Sequence, residues 1–210
     1  MMNNILKYFR KILNPDRLDR QKIAEIYLHK NLRKIDLGAS KKGHEGEWLL
    51  TDIDVLDITN EKDWTNIVGQ NFPSHLMAEH VWEHLTAEQA KLANQNCFQF
   101  LQSGGRLRIA VPDGYHPDPN YIEHVKVGGS SPGADDHKVL YTYKTLTQNL
   151  QEAGFEVELQ EYWDENGEFH KKNWNFEDGY VRRSADHDPR NKDGVLNYTS
   201  LIIDGFKAKN

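Results

Sequence analysis

The sequence predicts an α/β fold built on a mostly parallel sheet, and three observations lead there. An apolar, β-prone run ends at Gly38, a polar loop with two more glycines follows, and two further runs, WLLTD at 48–52 and VLDIT at 55–59, each carry a carboxylate near their end. Residues 72–113 read as strand, turn, helix, strand, and a helix between strands implies a right-handed crossover joining parallel neighbours. At 210 residues the chain is one domain with appendages, long enough for a substantial core.

In chain order, residues 3–13 place Ile5, Leu6, Phe9, Ile12 and Leu13 on one helical stripe. The stripe is expected to pack on its own domain or a partner subunit; peripheral contact with a membrane surface is the other reading. Asn14-Pro15-Asp16 breaks the pattern, and a short helix at roughly 17–29 leads to the first strand. Residues 1–30 thus form an N-terminal helical appendage and 31–210 the main domain. Asn60 caps a helix bearing Trp64, Ile67 and Val68. SHLMA is a strand, and Thr86 with Gln89 makes a capping box for a helix with Ala90, Ala93, Cys97, Phe100 and Leu101 at helical spacing. Gly104 and Gly105 follow it, and Leu107, Ile109 and Val111 alternate as a strand. The polar stretch 113–138, with three prolines and several glycines, reads as a loop. Tyr143, Leu146, Leu150 and Ala153 mark a helix closed by Gly154, and 155–163 is a strand. From 164 to 197 no periodicity survives, so this long insert is expected to be a lid or binding loop. YTSLIIDGFKAK supplies the last strand.

Net charge excludes some functions. At −6 the chain lacks the basic footprint that phosphate neutralisation needs, so no nucleic-acid partner is expected. Cys97 is the sole cysteine, which rules out a disulfide framework and a cysteine zinc site and favours a reducing cytoplasm. No apolar run approaches a membrane span, so no stable insertion is expected. A homo-oligomer is compatible with the chain.

The opening stretch reads as a nucleoside-binding edge. Glycine lets the backbone approach a ligand, and a carboxylate at the next strand tip can accept from both ribose hydroxyls; Asp52 is the first candidate, Asp54 the second. A dinucleotide fingerprint is disfavoured, because Gly38-Ala39-Ser40 and its short polar loop do not open a full helix.

Gly46, Trp48 and Asp52, with Glu47 inserted between the first two, approximate a G-W-x-x-x-D strand, HVWEHL matches an H-V-x-E-H-L signature, and GGRLRIAVPD resembles G-G-x-x-x-I-x-x-P-D. The segment HKVLYTYKTLTQNLQEAGFEV matches a His-x-x-x-Tyr, leucine-helix, A-G-F pattern. In this order the motifs resemble a bacterial group of the Rossmann-like methyltransferases that use S-adenosylmethionine, over roughly 33–160 plus the last strand. The resemblance implies a three-layer α/β fold with a seven-strand, mostly parallel sheet and an antiparallel C-terminal strand. It also implies cofactor contacts at Asp36, Gly38, Ala39, Ser40, Asp52, Ile53, Asp54, Asp57, Glu79 and His80. The loop at Gly38 would meet the amino-acid end, Asp52 the ribose, and Asp57, after a third strand, the adenine.

The implied activity is methylation, on oxygen, of a small-molecule or saccharide acceptor, in a pathway such as surface-polysaccharide synthesis. Histidine suits a base because its ordinary pKa lies near neutrality, so His80, His116 and His137 are candidates, with Asp113 to orient one or to accept the proton. Trp174, Arg182 and Arg183 in the insert are candidate acceptor contacts. No metal belongs to this reading. Two alternatives stay open: a methyltransferase-like binding or scaffold protein without turnover, and a zinc hydrolase using His80, Glu83 and His84, whose H-x-x-E-H spacing requires the motif to lie within a helix.

Overall fold

The structure, a computed structural model, describes residues 20–39, 44 and 47–209. The stripe at 3–13, Ser40 and Gly46 lie outside these.

Seven strands form one sheet in the order β2-β1-β3-β4-β7-β5-β6, with β1 Lys34–Leu37, β2 Trp48–Leu50, β3 His75–Glu79, β4 Arg106–Pro112, β5 Glu156–Trp163, β6 Phe169–Lys171 and β7 Ser200–Phe206. Strands β2, β1, β3 and β4 are mutually parallel. The C-terminal β7 enters antiparallel between β4 and β5, and β6 forms an antiparallel edge on β5. The helices are α1 Arg20–His29, α2 Glu61–Val68, α3 Ala87–Phe100, α4 Pro119–Val125 and α5 Tyr143–Glu152. Among the described residues no helix is long and apolar enough to cross a membrane.

Strand alternation sorts the sheet into two faces. Ile35, Leu37, Leu76, Ala78, Leu107, Ile109, Val111, Leu201 and Ile203 point to one face, where they bury against Ile23 and Tyr27 of α1, Trp64 and Ile67 of α2, Ala93 and Cys97 of α3, and Leu146 and Leu150 of α5. Caps fix where these helices start. Asn60 accepts from Lys62 N, and Thr86 and Gln89 make a reciprocal capping box.

The opposite face carries Asp36, Met77, Arg108, Ala110, Ile202 and Asp204. There the third layer is irregular chain, a strap from Lys172 to His187, whose Val181 and Trp174 pack on Met77, Ala110 and Ile202. A β-bulge between Leu159 and Glu161 turns Glu161 towards the strap, where it accepts from Trp174 Nε1 and Ala185 N at 2.9 and 2.8 Å. Arg108, fully buried, pairs in parallel with Asp204 (Nε–Oδ1 2.7 Å, Nη2–Oδ2 2.8 Å) and donates to the carbonyls of Asn175 and Gly179.

Three expectations need correction. VLDIT does not form a third strand: Asp52 O accepts from Val55 N and Leu56 N, Asp57 Oδ1 accepts from Thr59 N and Oγ1, and these local bonds close the segment into turns. The loop 113–138 contains α4, because Asp118 caps it and Pro119 sits in its first turn, where a missing N–H costs nothing. The insert 164–197 is not uniformly irregular. It supplies β6, too short to show alternation, and then the strap.

Candidate functional site

The first cleft opens at the C-terminal ends of β1 and β3, where the strand order reverses, the chain passing from β1 outward to β2 and then back across to β3; such points are where ligands bind open α/β sheets. Asp36, Gly38, Ala39, His44, Glu79, Tyr180 and Arg182 line about 160 Å³. Gly38 sits at φ +67°, and a Cβ there would stand 2.6 Å from Val81 Cγ2, so only glycine lets the β1 turn pass this close to the end of β3. Ala39 N donates to Thr51 O, and Thr51 N to Asp36 O, which clasps the tips of β1 and β2 together.

His44 joins the strap to β1. Tyr180 N donates to its Nε2 at 2.6 Å, so that nitrogen holds a lone pair; Nδ1 therefore carries the proton and donates to Asp36 Oδ2, also at 2.6 Å. Nothing periodic in its loop singles His44 out, and sequence reasoning missed it. Glu79, at the end of β3, accepts from the backbone N–H groups of Arg182 and Arg183 and from both guanidinium groups.

A second cavity, about 300 Å³, adjoins the first. Its wall is continuous with it, since Glu79 and Arg182 face one side while His80 and Arg183 face the other. His80 stands at φ +58°, a left-handed turn that few residues other than glycine adopt and that leads the chain out of β3 into a short 3₁₀ turn, Trp82–His84. Its Nε2 lies 3.1 Å from Ser200 Oγ and its Nδ1 3.0 Å from Glu83 Oε1. The zinc-hydrolase geometry is thereby lost: α3 begins only at Ala87, and His80 and His84 do not share a helical face. Glu83 is buried at 1% exposure. Burial, the largest single effect, pushes its carboxyl up, but the His80 imidazole, with smaller contributions from the local backbone and His84, brings it below the usual range. Lys138 N donates to Glu83 O at 2.7 Å, which brings His137 to His84 with ring centroids 4.8 Å apart. Arg190 and Tyr198, both unforeseen, close the far side, with the guanidinium carbon 3.4 Å from the ring centroid.

The sequence candidates divide accordingly. Asp36, Gly38, Ala39 and Glu79 line the first cleft and His80 and His137 the second. Asp52, Ile53, Asp54 and Asp57 line neither. Asp52 follows β2 with its Oδ1 accepting from Ile53 N, and the Asp57 carboxylate is spent on Thr59. Asp113 and His116 also lie apart. Asp113 is fully buried, anchors Tyr115 N and Trp163 N, and is pushed up to about 6 by burial. His116 stacks on Tyr121 at 3.9 Å and is pulled down to about 4 by burial. Arg182 and Arg183 reach the first and second cavities respectively, whereas Trp174 packs the strap, with the Arg108 guanidinium 4.8 Å from its ring centroid.

No family model matches the chain, and no curated protein matches it. Solved structures do. A SAM-dependent methyltransferase from Archaeoglobus fulgidus is similar at 15% identity and a TM-score of 0.50, covering 95% of this chain and 100% of that one. An O-methyltransferase family protein from Burkholderia thailandensis is similar at 11% identity and a TM-score of 0.50, covering 91% of this chain and 55% of that one. The chain thus spans about half of the second relative's length. At such identities the likeness is one of fold.

Proposed function

We propose that this fold serves as an S-adenosylmethionine-dependent methyltransferase acting on an oxygen of a small, polar acceptor. One observation carries the reading: the glycine turn at Gly38, closed against Val81 and flanked by Asp36 and Glu79, forms a cleft at the switch point of the sheet. Its chemistry suits the methionine end of that cofactor, with carboxylates for an ammonium group and the Arg182 guanidinium for a carboxylate. Asp52, exposed at the tip of β2, would accept from the ribose hydroxyls. The cofactor, when bound, supplies a methyl group already activated on a sulfonium, so the task left to the chain is to orient the acceptor and take its proton.

The second cavity supplies both functions. Arg183 and Arg190 suit an anionic or polyhydroxylated acceptor, a saccharide among them, and His80, on the wall shared with the first cleft, is placed to hold or remove a hydroxyl proton. The resemblance adds a bacterial, cytoplasmic setting in glycan synthesis.

A second reading, a binding or scaffold protein without turnover, is favoured by one specific feature. The acidic groups of the first cleft are already engaged by the chain itself, Asp36 by His44 and Glu79 by the strap. Calorimetry with S-adenosylmethionine and S-adenosylhomocysteine, followed by transfer of a labelled methyl group to fractionated extracts, separates the two. Saturable one-to-one binding with transfer is expected, and Asp52→Ala should weaken binding about fivefold, or about 1 kcal/mol. Binding without transfer selects the scaffold, and no binding removes both.

A further inference from the structure

Glu83 is the least accommodated polar group in the protein's second cavity. It is 1% exposed, and neither carboxylate oxygen has a well-directed hydrogen-bond donor among the described residues; His80 Nδ1 stands 3.0 Å from Oε1 but poorly aligned for a full hydrogen bond. A buried carboxylate is strongly disfavoured unless positive charge sits beside it; the His80 imidazole is one such neighbour, and the lone pairs it leaves free can take a bound cation.

Two imidazoles complete a set around it. One ligand atom each from Glu83, His84 and His137 lie within 4.8 Å of one another. Donors bound to one ion at about 2.0–2.2 Å stand roughly 3–4.3 Å apart, so rotamer adjustments of under about 1 Å would close the set. His137 is already oriented for this. Its Nδ1 lies 2.7 Å from the Val125 carbonyl, which can only accept, so Nδ1 carries the proton and Nε2 keeps its lone pair. The Asp136 carboxylate stands 3.5 Å from His84 Nδ1, the outer-shell partner such a histidine ordinarily has.

We propose that Glu83, His84 and His137 bind one divalent transition-metal ion, of the zinc, manganese or iron(II) class, with its open positions facing the Arg183 and Arg190 side of the cavity. Two imidazoles and one carboxylate suit these ions better than calcium or magnesium, which prefer all-oxygen shells. The ion would draw an anionic oxygen of the acceptor into place beside the first cleft; that role rests on the methyltransferase reading, whereas metal binding itself does not. The other metal-sized group among the described residues, Asp164, Glu168 and His170, is closed on itself. Asp164 Oδ1 accepts from Asn166 N and Glu168 N, and its Oδ2 lies 3.1 Å from His170 Nε2.

The test uses the full chain, stripped of metal by a chelator, with no S-adenosylmethionine present, and titrates it with Co²⁺ and Zn²⁺ by calorimetry and visible absorption. One ion per chain is expected, with ligand-field bands for Co²⁺. Glu83→Gln and His137→Asn should each weaken binding at least about 100-fold, the upper end of what loss of even an outer-shell partner costs, and His170→Asn should leave it unchanged. If a variant does not fold, proton NMR of the wild type decides. Co²⁺ should shift the ring signals of His84 and His137 and spare those of His170. No binding by folded wild type, binding that survives both substitutions, or shifts centred on His170 would overturn the site.

Discussion

Glu79 Oε1 accepts the backbone N–H of Arg183 at 2.9 Å, and this bond ties the end of β3 to the strap where the two cavities meet. The strap is therefore held by the carboxylate that the first cleft also presents. Glu79→Gln keeps an acceptor but removes the charge. Charge-assisted bonds of this kind contribute about 1.5–3 kcal/mol, so proteolysis within 172–187 should become at least tenfold faster than in wild type. An unchanged cleavage rate would mean that the other ties, those of His44, Arg108 and Glu161, suffice to secure the strap.

Gly38→Ala meets two obstacles, a left-handed backbone and Val81 at 2.6 Å. The handedness alone costs about 1–2 kcal/mol. Gly69, at φ +55° and ψ −118°, has open space around its missing Cβ, so an alanine there meets a backbone obstacle of its own but no neighbouring side chain. Thermal melting should show the larger loss for Gly38→Ala, with S-adenosylhomocysteine binding lost there and kept in Gly69→Ala. Equal melting temperatures for the two variants would contradict the close packing at the β1 turn.

Arg108 and Asp204 form a buried pair facing the strap rather than a helix. Removing one partner of such a pair costs about 3–5 kcal/mol. Arg108→Ala should lower the urea midpoint accordingly and also release the carbonyls of Asn175 and Gly179. A loss below about 1 kcal/mol would show that water replaces the guanidinium.

Asp113 and His116 oppose one another in pH dependence. Asp113 titrates near 6 when folded against an ordinary 3.8, so as pH rises from about 4 to about 6 the unfolded chain gives up a proton that the folded chain keeps, and stability falls. His116 titrates near 4 against 6.5. As pH falls through that window the unfolded imidazole takes up a proton that the folded one refuses, so stability falls in the other direction. Each slope is at most about 1.4 kcal/mol per pH unit. Relative to wild type, Asp113→Asn should therefore make stability rise more steeply from pH 4 to 6, and His116→Asn should make it fall. Urea midpoints across that range read both, and matching profiles for the two variants would refute the assignment.

Local chemistry made much of the helix layer legible in the sequence. The caps at Asn60 and Thr86 and the apolar periods of α2, α3 and α5 are written into neighbouring residues. The strap layer was not, because its order comes from distant partners. Arg108 with Asp204, Glu161 with Trp174, and Glu79 with Arg183 are joined only once the sheet exists, and no sequence period records them. Asp36, Gly38 and Glu79, which the family resemblance put forward, line the first cleft, but His44, which reaches both Asp36 and Tyr180, has no motif to mark it. Pro119 misled in the ordinary way, since a proline that opens a helix looks like one that breaks it.

The most direct test of the account is a crystal structure of the protein with S-adenosylhomocysteine. The account predicts the amino-acid end of the ligand between Asp36, Gly38 and Glu79, with its sulfur directed towards His80 and the second cavity. A ligand bound elsewhere on the fold, or none at saturating concentration, would contradict it.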